Sequence, residues 1–329
     1  MRDTFNREIK YLRISLTELC NLRCRYCMPE NGICKKSHDE MMTYEEIIQA
    51  VKIASRLGVS KIRLTGGEPL VKSGIVSLVS KIKEIDGIDE VCITTNGTLL
   101  TKYARELKNA GLDRLNISLD TLNPEKFRYI TRVGKLNDTL KGIDVALNEG
   151  FKKVKINTVL IGGFNDDEIV DLANLTMTKP LDVRFIELMP MYDSGDFGKE
   201  AFISSDIVID KINEYYKNKM NADDMIFPVE ADNGSVAKKY KIKGALGNVG
   251  LISAVSNSFC SKCNRIRLTA DGKLKPCLHS NQEILIKGLN EKEMEMKFKE
   301  AILLKPEKHD VLSYESRSHA DRNMNQIGG

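Results

Sequence analysis

The stretch Tyr11-Leu12-Arg13-Ile14-Ser15-Leu16-Thr17-Glu18-Leu19-Cys20-Asn21-Leu22-Arg23-Cys24-Arg25-Tyr26-Cys27 decides how the chain is read. Its first part, YLRISLT (11–17), alternates apolar and polar side chains as a β-strand does. Its second part places three cysteines at C-x3-C-x2-C spacing, directly beyond the end of that strand.

The same unit recurs. KIRLT (61–65), EVCITT (90–95), RLNISLD (114–120), KVKINTVL (153–160) and DVRFIEL (182–188) are further short β-rich runs. Amphipathic segments lie between them. Thr43 and Glu46 form a capping box, Ile47, Val51 and Ala54 share one helical face, and Gly58 supplies the stop. Comparable helices are expected over 74–85, 101–110 before Gly111, 136–149 before Gly150, and 166–176. Six β/α units imply parallel strands with right-handed crossovers. A closed barrel needs eight, so the expected fold is α/β, a partial, six-unit β/α TIM-type barrel. Beyond residue 220 the rhythm changes to VAKKYKI, GNVGLIS and RIRLTADGKLKP, the last with an Asp271-Gly272 turn. These runs predict a smaller C-terminal α+β domain, dividing the chain into 1–220 and 221–329.

The 329 residues are 42% apolar and 29% charged, with a net charge of only +4. Such a balance argues against a nucleic-acid partner. The N-terminus MRDTFNREIKYLRISL has no apolar signal core, and no run of 18 apolar residues occurs. A cytoplasmic protein without a membrane partner is expected, and structural disulfides are rare there. The eight cysteines fall into two trios, Cys20/Cys24/Cys27 and Cys260/Cys263/Cys277, leaving Cys34 in a loop and Cys92 as a small buried hydrophobe in EVCITT.

Polar and glycine motifs gather at the strands' C-terminal ends: the first trio, TGGEP (65–69), TTNGT (94–98), SLD (118–120), and Arg184 through Pro190. Barrels of this type build their active sites at that end. Three thiolates can hold three corners of a cubane iron–sulfur cluster and leave one iron open. Zinc would need a fourth ligand; His279, two residues beyond Cys277, would give the second trio near zinc-ribbon spacing and make a zinc-stabilised binding module. Arg13, Arg63 and Lys155 alternate with apolar neighbours in core strands, so they point into the barrel. Buried cations there call for an anionic ligand, unless Glu18, Glu68, Asp120 or Glu187 pair with them. Arg265 and Arg267, two apart on a strand, share a face.

C-x3-C-x2-C with Tyr26 before the last cysteine, followed by GGEP, resembles the radical S-adenosylmethionine superfamily. The second trio, with Arg265 and Arg267 between its cysteines, and the terminal Gly328-Gly329 resemble the GTP 3′,8-cyclase family of molybdenum cofactor biosynthesis. The resemblance runs from Arg13 to the end of the chain. It implies two [4Fe-4S] clusters, one on each trio, with S-adenosyl-L-methionine on the first and GTP against the second. It further implies a 5′-deoxyadenosyl radical that takes hydrogen from ribose C3′ of GTP, followed by closure onto guanine C8, a lyase reaction. Position by position, the cofactor contacts fall on Tyr26, Gly67, Ser118 and Met189. The GTP contacts fall on Arg13, Arg63, Thr94, Lys155, Arg265 and Arg267, and the catalytic set on Arg13, Arg265, Arg267, Gly328 and Gly329. The partners implied are a low-potential electron donor and the downstream cyclic pyranopterin monophosphate synthase, with a homodimer left open. A peptide-modifying radical maturase with an auxiliary cluster is the nearest rival, although such enzymes usually carry a longer C-terminal cysteine set.

Overall fold

The structure is a computed structural model, and it describes residues 1–34, 36–191, 197–231, 235–309, 312, 318 and 320–328. Six parallel strands form its centre: β1 (Tyr11–Ser15), β2 (Lys61–Thr65), β3 (Glu90–Thr95), β4 (Arg114–Ser118), β5 (Val154–Leu160) and β6 (Leu181–Glu187), hydrogen-bonded in that order. Helices α1 (Tyr44–Arg56), α2 (Ile75–Lys83), α3 (Leu100–Asn109), α4 (Pro124–Thr131), α5 (Leu136–Asn148) and α6 (Ile169–Thr178) connect them. The expected partial β/α barrel is therefore present.

Local chemistry sets the helix ends. Thr43 Oγ1 accepts the Glu46 N–H at 3.2 Å, and the Glu46 carboxylate accepts the Thr43 N–H at 2.8 Å. Helix α6 starts three residues later than the sequence suggests, because Asn165 folds the preceding segment by accepting the Ile161 N–H and donating to the Asp120 and Val159 carbonyls. The pattern reading missed α4, whose start is Asn123 followed by Pro124 at the first helical position.

Each barrel strand sends one set of side chains to the helices and the other to the lumen. Leu12 and Ile14, Ile62 and Leu64, and Leu115 and Ile117 are fully buried against the helical layer. Tyr11, Arg13, Arg63, Thr94, Asn116, Ser118 and Asn157 face the lumen. The lumenal face is polar on every strand, so it makes a site rather than a packed core.

Six strands leave two open edges, and unpaired edges must be covered. The chain beyond residue 205 covers both. After α7 (Ile207–Met220), β7 (Ile226–Val229), β8 (Lys238–Ile242) and β9 (Asn248–Ile252) extend the sheet beside β6, with β9 parallel to it. On the opposite edge β10 (Arg265–Leu268) runs parallel to β1, followed by β11 (Lys273–Lys275) and β12 (Ile284–Leu285). The Asp271-Gly272 turn joins β10 to β11, with Gly272 at φ +78°. The three C-terminal runs read as strands thus join the barrel sheet, giving twelve strands in one order. Helix α8 (Glu291–Leu303) packs its Met294, Phe298, Ala301 and Ile302 stripe inward, and α9 (Met324–Ile327) ends the chain beside the lumen. Among the described residues no helix is long and apolar enough to cross a membrane.

Gly247 shows how tightly the β9 edge is docked. An added Cβ would lie 1.7 Å from the Leu181 carbonyl oxygen, a backbone atom that cannot swing aside. Gly247→Ala should lower stability by about 1–3 kcal/mol or more, read by denaturant unfolding; an unchanged midpoint would contradict this docking.

Candidate active site

The first cysteine loop is shaped before any cofactor enters. Its backbone pairs with the end of α4, Arg23 N–H to Thr131 carbonyl at 3.0 Å and Arg25 N–H to Ile130 carbonyl at 2.9 Å. Arg132 Nη1 ties it again through the Arg23 and Met28 carbonyls. The GGEP loop docks from the other side: the Gly67 N–H reaches the Thr17 carbonyl at 2.7 Å, and the Glu68 N–H the Leu19 carbonyl at 2.8 Å. A Cβ on Gly67 would lie 2.3 Å from Leu19 O and 2.6 Å from Glu18 O. Only glycine allows that approach.

Within this loop Cys20, Cys24 and Cys27 face one cavity of about 980 Å³. Their thiols are costly to ionise as they stand. Burial first, then neighbouring thiols and Asp120, push Cys24 well up, and burial and Cys20 push Cys27 up to about 12. A multivalent cation reverses that balance, since a metal-bound thiol is deprotonated outright. The donor set fits an iron–sulfur cluster. The second trio fits one as well. Burial works against the Cys260 thiolate, but hydrogen bonds from His309 bring it down to about 7. Lys305 and Arg265 lower Cys263 against the same burial cost. Lys305 is buried and donates to the Arg265 and Pro276 carbonyls, which anchors it beside both segments that carry the trio. His279 stands edge-on to His309, their ring centroids 4.6 Å apart, and burial together with His309 pushes it down to about 3. Among the described residues no three His, Cys, Asp or Glu side chains converge closely enough to grip a single ion.

Register places the trios at opposite ends of the lumen. Cys20 follows the C-terminal end of β1, whereas Cys263 precedes Arg265, which is level with Tyr11 at the start of β1. Between the ends the cavity is lined by the expected Tyr26, Gly67, Ser118 and Met189, and by Arg13, Arg63, Thr94, Arg265 and Arg267. Arg63 Nη1 donates to Thr94 Oγ1 at 3.3 Å. Tyr26 donates its hydroxyl to Asp120 at 2.7 Å; burial raises Asp120 to about 6 despite that bond.

Lys155 stands apart. It lies 3.3 Å from Asp182 and lines a small side cavity, which it shares with Arg184, rather than the main one. The carboxylates that might have neutralised the lumenal arginines are engaged elsewhere. Glu18 pairs with Lys36 at 2.7 Å. Glu68 accepts from Thr95 and from the Asn96 and Leu70 N–H groups. Glu187 accepts from Ser205, Ser256 and Val255. Among the described residues no carboxylate forms an ion pair with Arg13, Arg63, Arg265 or Arg267, and the Nε atoms of the first three are buried without a partner.

The chain end comes back to this cavity. Arg267 Nη1 donates to the Ile327 carbonyl at 2.9 Å and to the Gly328 carbonyl. The Asn325 N–H donates to Cys27, and Asn325 Nδ2 reaches the Glu18 carbonyl at 3.1 Å. Met324 and Ile327 anchor the tail by packing with Met189 and Met191. A Cβ on Gly328, at φ +70°, would meet Thr65 Cγ2 at 2.4 Å. Gly329 lies outside the described residues. Sequence reasoning placed Arg184 in a strand-end motif without giving it a ligand, and gave Tyr11 no role, although it stands two residues before Arg13 on the same face of β1. It also passed over Lys305 and His309, whose approach to the second trio no local pattern reveals.

Comparison with known proteins agrees with this geometry. Residues 14–176 match the Radical SAM superfamily, and residues 181–311 match Molybdenum Cofactor Synthesis C. Streptococcus suis SuiB bound to S-adenosylmethionine has the same fold, with a TM-score of 0.62 over 85% of this chain and 63% of its own, at 17% identity. Fold and site together define a radical S-adenosylmethionine enzyme. A GTP 3′,8-cyclase from Alkaliphilus oremlandii is 52% identical over the full length of both chains, and one from Peptoclostridium acidaminophilum is 50% identical over 99% of this chain and 98% of its own. At that identity and coverage the chain belongs to the GTP 3′,8-cyclase family.

The closeness of Gly67 to the cysteine loop can be tested directly. Gly67→Ala should weaken S-adenosylmethionine binding at least tenfold, about 1.4 kcal/mol, while the far-ultraviolet circular dichroism stays unchanged. Equal affinity in the two proteins would contradict the contact.

Proposed function

We propose that this chain is a cytoplasmic enzyme that converts GTP to (8S)-3′,8-cyclo-7,8-dihydro-GTP, the first step of molybdenum cofactor biosynthesis. The observation that carries the reading is one cavity faced by both cysteine trios, with guanidinium groups between them that no carboxylate among the described residues matches. Residues 1–220 would hold one [4Fe-4S] cluster on Cys20, Cys24 and Cys27, and residues 221–329 the other on Cys260, Cys263 and Cys277. When bound, the first cluster with S-adenosylmethionine would supply the radical chemistry that takes the ribose C3′ hydrogen, and closure of C3′ onto guanine C8 would need one further electron and one proton to give the 7,8-dihydro product.

The chain's own residues bind, orient and exclude water. Tyr26, Gly67, Ser118 and Met189 line the end where S-adenosylmethionine would lie. Arg13, Arg63, Thr94, Arg265 and Arg267 offer the donors a triphosphate needs, with forks that match phosphate oxygens. Lys155 would act from the side cavity, its charge shared with Asp182. The product would pass to cyclic pyranopterin monophosphate synthase, and electrons would arrive from a low-potential donor. A homodimer is compatible with this scheme.

An anaerobic incubation with reductant, S-adenosylmethionine and GTP tests the assignment. Serine at Cys20, Cys24 or Cys27 should abolish 5′-deoxyadenosine formation. Serine at Cys260, Cys263 or Cys277 should spare much uncoupled cleavage and lose the cyclised product. Loss of all cleavage in folded variants of the second trio would refute this division of labour.

Arg267 holds the Ile327 and Gly328 carbonyls while lining the cavity, so the tail also belongs to the site in this reading. Deleting Gly328 and Gly329 should leave iron content and cofactor cleavage intact and cut cyclised product at least tenfold, about 1.4 kcal/mol of barrier. Full product formation by the truncated enzyme would exclude the tail.

A further inference from the structure

Tyr11 lies at the centre of the lumenal cations, and nothing above uses it. Its ring has Lys61 Nζ at 5.3 Å from the centroid and the Arg13, Arg63 and Arg265 guanidinium carbons at 5.6, 5.5 and 5.5 Å. These cations come from three strands: β1 itself, β2 and β10. The residue is buried, its ring lines the main cavity, and its hydroxyl oxygen is buried without a hydrogen-bond partner. Such an oxygen costs free energy unless something in the working enzyme uses it.

The charges facing Tyr11 can be followed strand by strand. From β1 comes Arg13, from β2 Lys61 and Arg63, and from β10 Arg265, with Arg267 one inward position further along. From β3 come Glu90 and Cys92. The Glu90 carboxylate is already divided between Lys61 at 2.5 Å and Arg114 of β4 at 2.6 Å, so it offsets Lys61 and leaves the guanidiniums unmatched. The Cys92 thiol is held up by its own burial, whereas the phenol stands among these cations with no hydrogen-bond partner among the described residues.

We propose that Tyr11 is a further substrate-positioning residue, whose hydroxyl serves as the internal counter-charge of the arginines when no nucleotide is bound and takes up a proton when the triphosphate replaces it. The inference rests on the GTP reading above. The balance is simple: phosphate oxygens take over the guanidinium donors, and the phenolate, now beside a polyanion, accepts a proton from the solvent buffer, so uptake equals the fraction of phenol ionised before binding. The direction of the phenol's own acidity agrees. Burial pushes it up, but Arg63, Arg13 and Arg265 outweigh burial and bring it down to about 8. Burial and mutual repulsion also lower Arg265 to about 10 and Arg267 to about 9. A guanidinium starts above about 12 and a phenol near about 10, so the phenol changes charge first.

GTP is titrated calorimetrically into the anaerobic holoenzyme without S-adenosylmethionine, in two buffers of different ionisation enthalpy, at pH 7 and pH 8. The parent and Tyr11→Phe are compared, which cancels protons moved by the nucleotide itself or by the arginines. With a phenol titrating at about 8, the parent should take up more protons than Tyr11→Phe by about a tenth at pH 7 and about half at pH 8. Equal uptake by the two proteins at pH 8 overturns the proposal. So does uptake by the parent that fails to rise between pH 7 and pH 8, a measurement that needs no variant to fold. A parent that does not bind GTP at all overturns the functional reading together with this assignment, and so is distinguishable from either result.

Discussion

The arginines of one lumen, unmatched by any carboxylate among the described residues, are the constraint on which the rest of the structure depends. Arg13 and Arg63 face inward because the residues on either side of them, Leu12 and Ile14 or Ile62 and Leu64, must face the helices. Placing unmatched charge in a desolvated space costs several kcal/mol. The fold nevertheless keeps the nearby acids away. Glu18, Glu68 and Glu187 each satisfy loops at the rim, and Asp120 holds Tyr26. Those carboxylates build the walls of the site and leave its interior positive for an anion.

An open sheet makes such an interior feasible. A closed eight-stranded barrel fills its centre with branched side chains, but a six-unit arc has room for a cavity and two edges to finish. Strands β9 and β10 finish them in parallel register, and β10 contributes Arg265 and Arg267 level with Tyr11 and Arg13. The same crossing sets the two cysteine trios at opposite ends of the lumen. The tail then returns across the first loop, so that Cys27, Glu18 and Arg267 all bond to the last few residues of the chain. First cysteine loop, lumenal Arg267 and chain end are in this way parts of one hydrogen-bonded unit.

Much of this was legible in the sequence because it repeats with strand period. The six strands, the capping box at Thr43, the turn at Asp271-Gly272 and the inward direction of Arg13 and Arg63 all follow from alternation and end signals. What alternation cannot show is which strand neighbours which. Nothing local in RIRLTADGKLKP says that it pairs with β1 rather than forming a sheet of its own, and nothing local places Asp182 beside Lys155. The closeness of Lys305 and His309 to the second trio is likewise a product of long-range packing. Helix α8 escaped notice because charged residues surround its narrow Met294–Phe298–Ala301 stripe, although Asn290 and Glu293 form a capping box that could have marked its start.

The central claim is that both ends of the lumen act on one nucleotide. It is tested most directly by giving the anaerobic enzyme reductant, S-adenosylmethionine and GTP carrying deuterium at ribose C3′, and measuring the label in 5′-deoxyadenosine by mass spectrometry. Transfer of the deuterium into 5′-deoxyadenosine, in step with cyclised product, is the expected result. Unlabelled 5′-deoxyadenosine formed alongside product would contradict the account.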